Sequence, residues 1–353
     1  MPHATVISDH PPRKGPRIGP MPHFTVIIPT HNVAHHIGDA IRSVLAQSWS
    51  DLTLLVIDDG SSDGTLEVSR QFHDPRVQVL RQDHQGVSSA RNHGLRRASS
   101  PFVAFLDGDD RWMPHKLERQ LAHLARAPEV GLSFSWSRLI DARDRPIGLL
   151  QTPHIQGITS RVLLLENPVS NGSTVVARRE AFEALRFPSG GHDCFFDETL
   201  THMEDLECWV RLCHQTRWQV EGLPELLTEY RLHIDGASAR IDRMLEGHAR
   251  IRERIGRYAP ELIDEPAGPA TARMLWYAAR RGLVMERTVE EVLELVRAAE
   301  AADPALMRNR RLERMLLLTA LGLRRLPGPM YGWVRDVGFG VAGQVQRRVA
   351  LWR

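Results

Sequence analysis

A doubly wound, mainly parallel α/β sheet flanked by helices, with an α-helical C-terminal extension, is the fold this sequence predicts. Three observations carry the prediction. Short apolar, β-branched runs alternate with amphipathic stretches from Phe24 to Leu106. Acidic residues gather where two of those runs end, as Asp58-Asp59 and as Asp107-Gly108-Asp109-Asp110. Beyond Ala239 the apolar spacing becomes helical throughout.

Residues 1–22 are rich in Pro, His and basic side chains and are expected to form a disordered tail. Residues 24–28 predict the first strand, stopped by Pro29, and Thr30-His31-Asn32 predicts a loop. Ile37, Ile41, Val44 and Leu45 mark the inner stripe of a helix reaching Gln47. Residues 52–57 predict the second strand, followed by turn chemistry in which Ser62 or Asp63 can cap the next helix. A third strand is expected over 77–80, and a helix over 86–98 carries Arg91 and Asn92. Residues 101–106 are wholly apolar, as a strand buried on both faces must be. The organisation expected is therefore a tail (1–22), an α/β domain (23–239) and a helical region (240–353).

Open α/β sheets bind ligands just outside the carboxyl ends of their strands. Asp107 and Asp109 stand there, and in an extended segment residues i and i+2 point the same way. Gly108 lets the backbone approach a ligand. Two aimed carboxylates form a hard-oxygen site for Mg²⁺ or Mn²⁺, ions that commonly complete their shell with substrate phosphates. The loop after the first strand holds no G-x-G-x-x-G, and no Walker A motif occurs, so a dinucleotide Rossmann domain and a P-loop are excluded. Phosphates would be held by metal and acidic loops.

The composition is that of a globular protein, with a net charge of +2 over 353 residues. That charge is uneven: from Arg308 onward ten arginines face only Glu313 and Asp336. Cys194, Cys208 and Cys213 form no C-x-x-C pair, which points to reduced thiols and a cytoplasmic setting. No secretory leader is legible, and the longest apolar run, 315–323, is too short to span a bilayer. No nucleic-acid partner is expected.

VIIPTHN, VIDDGSSDGT, GVSSARNHGL and FLDGDD, followed by NGSTVVARREAFEAL, FDETLTHMEDLECWVRL and YRLHIDGAS, are similar in order and spacing to the motifs of family-2 glycosyltransferases of the GT-A fold. The resemblance covers roughly residues 23–240. It implies a nucleotide-sugar donor (a UDP-sugar), a divalent metal (Mn²⁺ or Mg²⁺) and inversion at the anomeric carbon. It would set Pro29, His31 and Asp59 around the nucleotide base, Asp107 near the ribose, and Asp109 on the metal. His233, after the apolar run 226–232, matches a histidine that can complete the metal shell beside Asp107 and Asp109. His31 stands where a tyrosine is common, but an imidazole can still stack on a base.

Glycosyl transfer needs a base for the proton of the acceptor hydroxyl, and Glu204-Asp205 supplies two candidates. Steps of three and four from Asp205 reach Cys208, Trp209 and Leu212, an apolar stripe. From Glu204 they reach Glu207, Cys208 and Arg211, a mostly solvated stripe. Asp205 is thus expected to face inward as the base and Glu204 outward or to the rim. The family's acidic pair also places the base second. Trp112 is expected to pack the loop after the metal site, and Trp136 and Asn171-Gly172-Ser173 are candidates for the acceptor side. Residues 188–194 replace the tight glycine-rich turn usual in the family.

Helices are expected over 240–255, 270–283, 289–302 and 304–323. Leu312, Met315, Leu316, Leu318 and Leu321 with flanking arginines make a basic amphipathic face that can pack on the domain or lie on an anionic membrane. The partners expected are a nucleotide-sugar and a glycan or lipid-linked acceptor, with the enzyme cytoplasmic or peripheral on the inner membrane face. Two other readings are a sugar-1-phosphate nucleotidyltransferase, which would want a glycine-rich basic loop after the first strand, and a non-catalytic membrane-associated module.

Overall fold

Apolar β-branched sequence makes strand β1 (Phe24–Thr30), whose every residue is buried. In this computed structural model, which describes residues 23–232, 241–263, 268–284 and 287–309 with Leu317, Thr319, Leu321 and Gly322, β1 lies inside the sheet. The chain continues through α1 (Ile37–Leu45), β2 (Leu52–Asp59), α2 (Thr65–Arg70), β3 (Val77–Gln82), α3 (Val87–Arg97) and β4 (Phe102–Phe105). β5 (Arg111–Trp112), α4 (Lys116–Arg126), β6 (Val130–Ile140), β7 (Pro146–Gln151), α5 (Ser160–Glu166), β8 (Val176–Arg178) and α6 (Arg179–Glu183) follow. A two-stranded hairpin, β9 (Phe187–Ser189) and β10 (His192–Cys194), precedes α7 (Glu204–Gln215) and the long β11 (Gln219–Arg231). Helices α8 (Ile241–Gly256), α9 (Pro269–Val284), α10 (Val289–Ala302) and α11 (Pro304–Asn309) follow.

The main sheet runs β3-β2-β1-β4-β8-β6-β11-β5, with β7 on β6. Its first four strands are parallel, as the β-α alternation predicts. β8 then enters antiparallel between β4 and β6. Strand order reverses at β1, between β2 and β4, which opens a crevice at their carboxyl ends. Alternate residues of β1 feed two cores: Val26 and Ile28 meet α1 and α4, while Ile27 meets α3 and α7. α3 comes close because Gly94 lacks a side chain; a Cβ there would lie 2.6 Å from Ile27 Cγ2.

Two expectations change here. The segment after β4 is a turn, closed by the Asp110 N–H donating to the Asp107 carbonyl at 3.0 Å, so the alternation argument for Asp107 and Asp109 does not apply. The C-terminal helices share the domain's core: Ile251 and Ile255 of α8 and Ala270 of α9 join the cluster that includes Ile27 and Phe105. Leu317 and Leu321 are buried against Trp276 and Val296. So the apolar face proposed for the tail packs inward at Leu321, and the side chains of Leu312, Met315, Leu316 and Leu318 lie outside the described residues, as do residues 1–22 and His233. Among the described residues no helix is long and apolar enough to cross a membrane.

Candidate functional site

The crevice widens into a cavity of about 800 Å³. Pro29 and His31 from the end of β1, and Asp107 and Asp109 from the turn after β4, line one side. The turn is held from beneath. The Asp107 N–H donates to Ser173 Oγ at 3.0 Å, and that hydroxyl donates to Asp110 Oδ2 at 2.6 Å. Asp110 Oδ1 accepts from the Arg231 N–H at 2.8 Å. Burial, then the nearby Asp109 and Asp107 charges, push the Asp110 pKa well above the carboxylate range. Trp112 Nε1–H donates to the Ser173 carbonyl at 2.8 Å, so this tryptophan packs the loop as expected. An expectation is corrected here: Asn171, Gly172 and Ser173 are buried and do not border the cavity; Ser173 supports the acidic turn, while the Asn171 amide donates to Ser137 Oγ and Gln151 Oε1. Trp136 does not border it either, donating instead to the Pro153 carbonyl at 3.0 Å.

One cation joins the two acidic halves. Arg91 of α3 is buried, and its guanidinium donates to Asp107 Oδ1 at 2.9 Å and to Glu204 Oε1 at 2.6 Å. It lies 5.5 Å from the centre of the Phe196 ring. Burial opposes its charge, but Asp107, Glu204 and Asp205 more than offset this and hold its pKa above the usual value. Arg91 was placed on this helix from sequence without a role. The signal was present: Val87, Arg91, Leu95 and Ala98 follow helical spacing, so a guanidinium interrupts an apolar stripe.

Beneath Arg91, Phe105, Phe182, Phe196 and Trp209 pack with ring centres 5.6–6.2 Å apart. Such pairs contribute about 0.5–1.5 kcal/mol each beyond buried area. They set α7 against β4, which brings its first turn to the cavity. Glu204 and Asp205 both line it, but the expected facing is reversed. Glu204 is buried against Arg91, whereas Asp205 keeps a partly open side. The stripe taken as solvated is also buried: Arg211 Nε donates to Glu207 Oε1 at 3.0 Å, and its other nitrogens donate to the carbonyls of Leu185 and Phe195. A charged pair satisfied this fully can be interior. Asp205 Oδ1 accepts from the Leu206 N–H at 2.7 Å. Withdrawal from bulk water, then Glu204, raise its pKa to about 7, against the lowering effect of Arg91. For Asp107, burial and Asp109 raise the pKa against the pull of Arg91.

Asp59 lies behind the cavity wall. Its carboxylate accepts from Gln82 Nε2 at 2.8 Å and from the backbone N–H groups of Gln85 and Gly86 at 2.9 and 2.8 Å. The His84 ring also reaches it, at 2.9 Å. His31 Nδ1 meets the Asp59 carbonyl at 2.8 Å, and the His31 and His84 rings stack with centres 4.1 Å apart. Asp59 thus braces a flat two-ring stack in which His31 borders the cavity and His84, which sequence reasoning missed, backs His31 without lining the cavity. The three could also offer ligand atoms to a metal, but each of the two Asp59 oxygens already has two hydrogen-bond partners.

The opposite wall comes from α8 and α9, which no motif announced. Met244, His248, Arg273 and Tyr277 border the cavity. Tyr277 is 46% exposed. His248 is buried, its pKa is lowered to about 4 by burial and by Arg252, and its Nε2 has no hydrogen-bond partner among the described residues.

Residues 25–186 match the family model for glycosyl transferase family 2. Over 214 residues the chain is 30% identical to a putative teichuronic acid biosynthesis glycosyltransferase, TuaG, of Bacillus subtilis, spanning 60% of this chain and 79% of that one. It is 31% identical over 217 residues to UDP-Glc:alpha-D-GlcNAc-diphosphoundecaprenol beta-1,3-glucosyltransferase WfgD of Escherichia coli, spanning 61% and 79%. The mannosyltransferase PcManGT from Pyrobaculum calidifontis, solved with GDP-Man and Mn²⁺, superposes with a TM-score of 0.55 at 20% identity over 94% of this chain and 87% of that one, a likeness of fold. A mixed sheet whose parallel strands gather acids at their carboxyl ends, and sequence kinship over four-fifths of two glycosyltransferases, lead to one assignment: this chain is a GT-A glycosyltransferase and belongs to glycosyl transferase family 2.

Proposed function

We propose that the enzyme transfers a sugar, with inversion, from a UDP-sugar to a hydroxyl of a lipid-linked or glycan acceptor in polysaccharide assembly. The observation that carries this reading is the single cavity in which Asp107 and Asp109 face the α7 acids across Arg91. The names of TuaG and WfgD support it, the second through its UDP-Glc donor and its diphosphoundecaprenol-linked acceptor. His31, stacked on His84, offers a flat face to the uracil ring beside Pro29. Asp107 and Asp109 fit a divalent cation: both offer hard carboxylate oxygens, and a dication would offset the burial and the Asp109 charge that together raise the Asp107 pKa. When bound, that cation supplies positive charge against the leaving diphosphate. Asp205, with a pKa near neutrality, takes the acceptor's proton. Glu204 holds Arg91, which holds Asp107.

UDP should bind at least about tenfold more tightly in Mn²⁺ than in EDTA, and Asp109→Ala should erase the difference. Equal affinity in both buffers, measured calorimetrically, would remove the metal from this reading.

The acceptor is assigned to the α8–α9 wall. Arg273, paired with Glu166 at 3.7 Å, supplies positive charge and Tyr277 an exposed aromatic face, a combination suited to a sugar carried on a phosphate. With a lipid-linked sugar diphosphate as acceptor, Tyr277→Ala should raise the acceptor KM about tenfold. UDP affinity should stay unchanged. A KM within twofold of wild type would place the acceptor elsewhere.

A further inference from the structure

The hairpin β9–β10 takes no part in the cavity. It brings together three side chains of unlike chemistry. His192 and Cys194 are two apart on β10, so both project from one face. Glu198 comes from the turn that follows. An imidazole nitrogen, the thiol sulfur and a carboxylate oxygen lie within 4.8 Å of one another. His192 Nε2 and Glu198 Oε1 are 3.3 Å apart. Two ligands about 2.1 Å from a tetrahedral zinc ion sit about 3.4 Å from each other, so this pair already forms one edge of such a tetrahedron.

We propose that His192, Cys194 and Glu198 form a zinc site separate from the sugar-transfer cavity. Sulfur and imidazole ligands select Zn²⁺ over Mg²⁺ or Mn²⁺. The Cys194 thiol loses its proton to solvent as the Zn–S bond forms, and thiolate plus carboxylate then neutralise the dication. This balance suits a site where Cys194 is fully buried. His192 is only partly buried, which leaves a path for the ion and room for water as fourth ligand. The supporting shell is already built. Asn92 Nδ2 donates to Glu198 Oε1 at 2.9 Å, and Asn92 Oδ1 accepts from the N–H groups of Phe195 and Phe196 at 3.0 and 2.9 Å. Asn92 is the neighbour of Arg91 on α3, and Glu198 precedes the first turn of α7. Zinc here would staple the hairpin to both elements that bring charge to the cavity.

The test uses the full chain, stripped with EDTA and kept reduced, with Co²⁺ as probe. One equivalent of Co²⁺ should produce a thiolate-to-cobalt charge-transfer band that Zn²⁺ bleaches, and Zn²⁺ should raise the unfolding temperature. Asp109→Ala should keep the band, which separates this site from the donor's cation. Cys194→Ser should abolish it, and His192→Ala should weaken Co²⁺ binding at least about tenfold. His192 is part-exposed, so its variant decides the matter if Cys194→Ser does not fold. Absence of the band in wild type overturns the proposal, as does an undiminished band in His192→Ala.

Discussion

Asp205→Asn should cut sugar transfer by about 10²–10⁴-fold, the usual contribution of a positioned general base, while UDP affinity stays within a few-fold of wild type. The amide preserves shape and can still accept from the Leu206 N–H, but it cannot take the acceptor's proton. The same residue sets the pH profile. With its pKa raised to about 7, transfer should climb roughly tenfold per pH unit below that value and level off above it. Stability should move the other way. Between the ordinary aspartate value of 3.8 and about 7 the unfolded chain releases this proton and the folded chain keeps it, so stability falls as pH rises through that window. Asp205→Asn should therefore be more stable than wild type at pH 8 and have little advantage at pH 4. Transfer within a few-fold of wild type in Asp205→Asn would show that another group is the base.

Arg91→Met should cost about 3–5 kcal/mol of stability and abolish transfer, because it strands Glu204 as a buried, unpaired charge and takes from the part-exposed Asp107 the cation that holds it. Arg91→Lys keeps the charge but not the planar fork that reaches both carboxylates, so it should recover part of the stability and little of the activity. Glu204→Gln removes one of the two partners and should destabilise more than Asp205→Asn, since Glu204 is the acid committed to the ion pair. Urea unfolding measures all three. A loss under 1 kcal/mol in Arg91→Met would show that the bridge does not hold the site together.

Helical spacing was a sound guide where side chains are apolar and a poor one where they are charged. It placed the inner stripe of α1 at Ile37, Ile41 and Val44 and the apolar face of α7 at Cys208, Trp209 and Leu212. It failed at Glu204 because it treated Glu207 and Arg211 as belonging in water. In the fold those two pair with each other, and Arg211 finds two carbonyls besides, so a charged stripe is buried. Asp59 shows the complementary case. An acid at a strand end reads as a ligand contact, yet its oxygens are occupied by backbone donors that shape a loop.

What the sequence determined by itself is the β-α alternation, the parallel half of the sheet and the acidic strand ends, because these depend on local periodicity and on chain connectivity. The motif series was enough to indicate the family. What only the tertiary structure decided is which charges meet. Arg91 joins Asp107, sixteen residues on, and Glu204, 113 residues on. The α8–α9 wall and the His192–Cys194–Glu198 cluster are likewise products of packing. Electrostatic partnership is set by distance in space and by the water left between groups, and neither quantity is written in the order of residues along the chain.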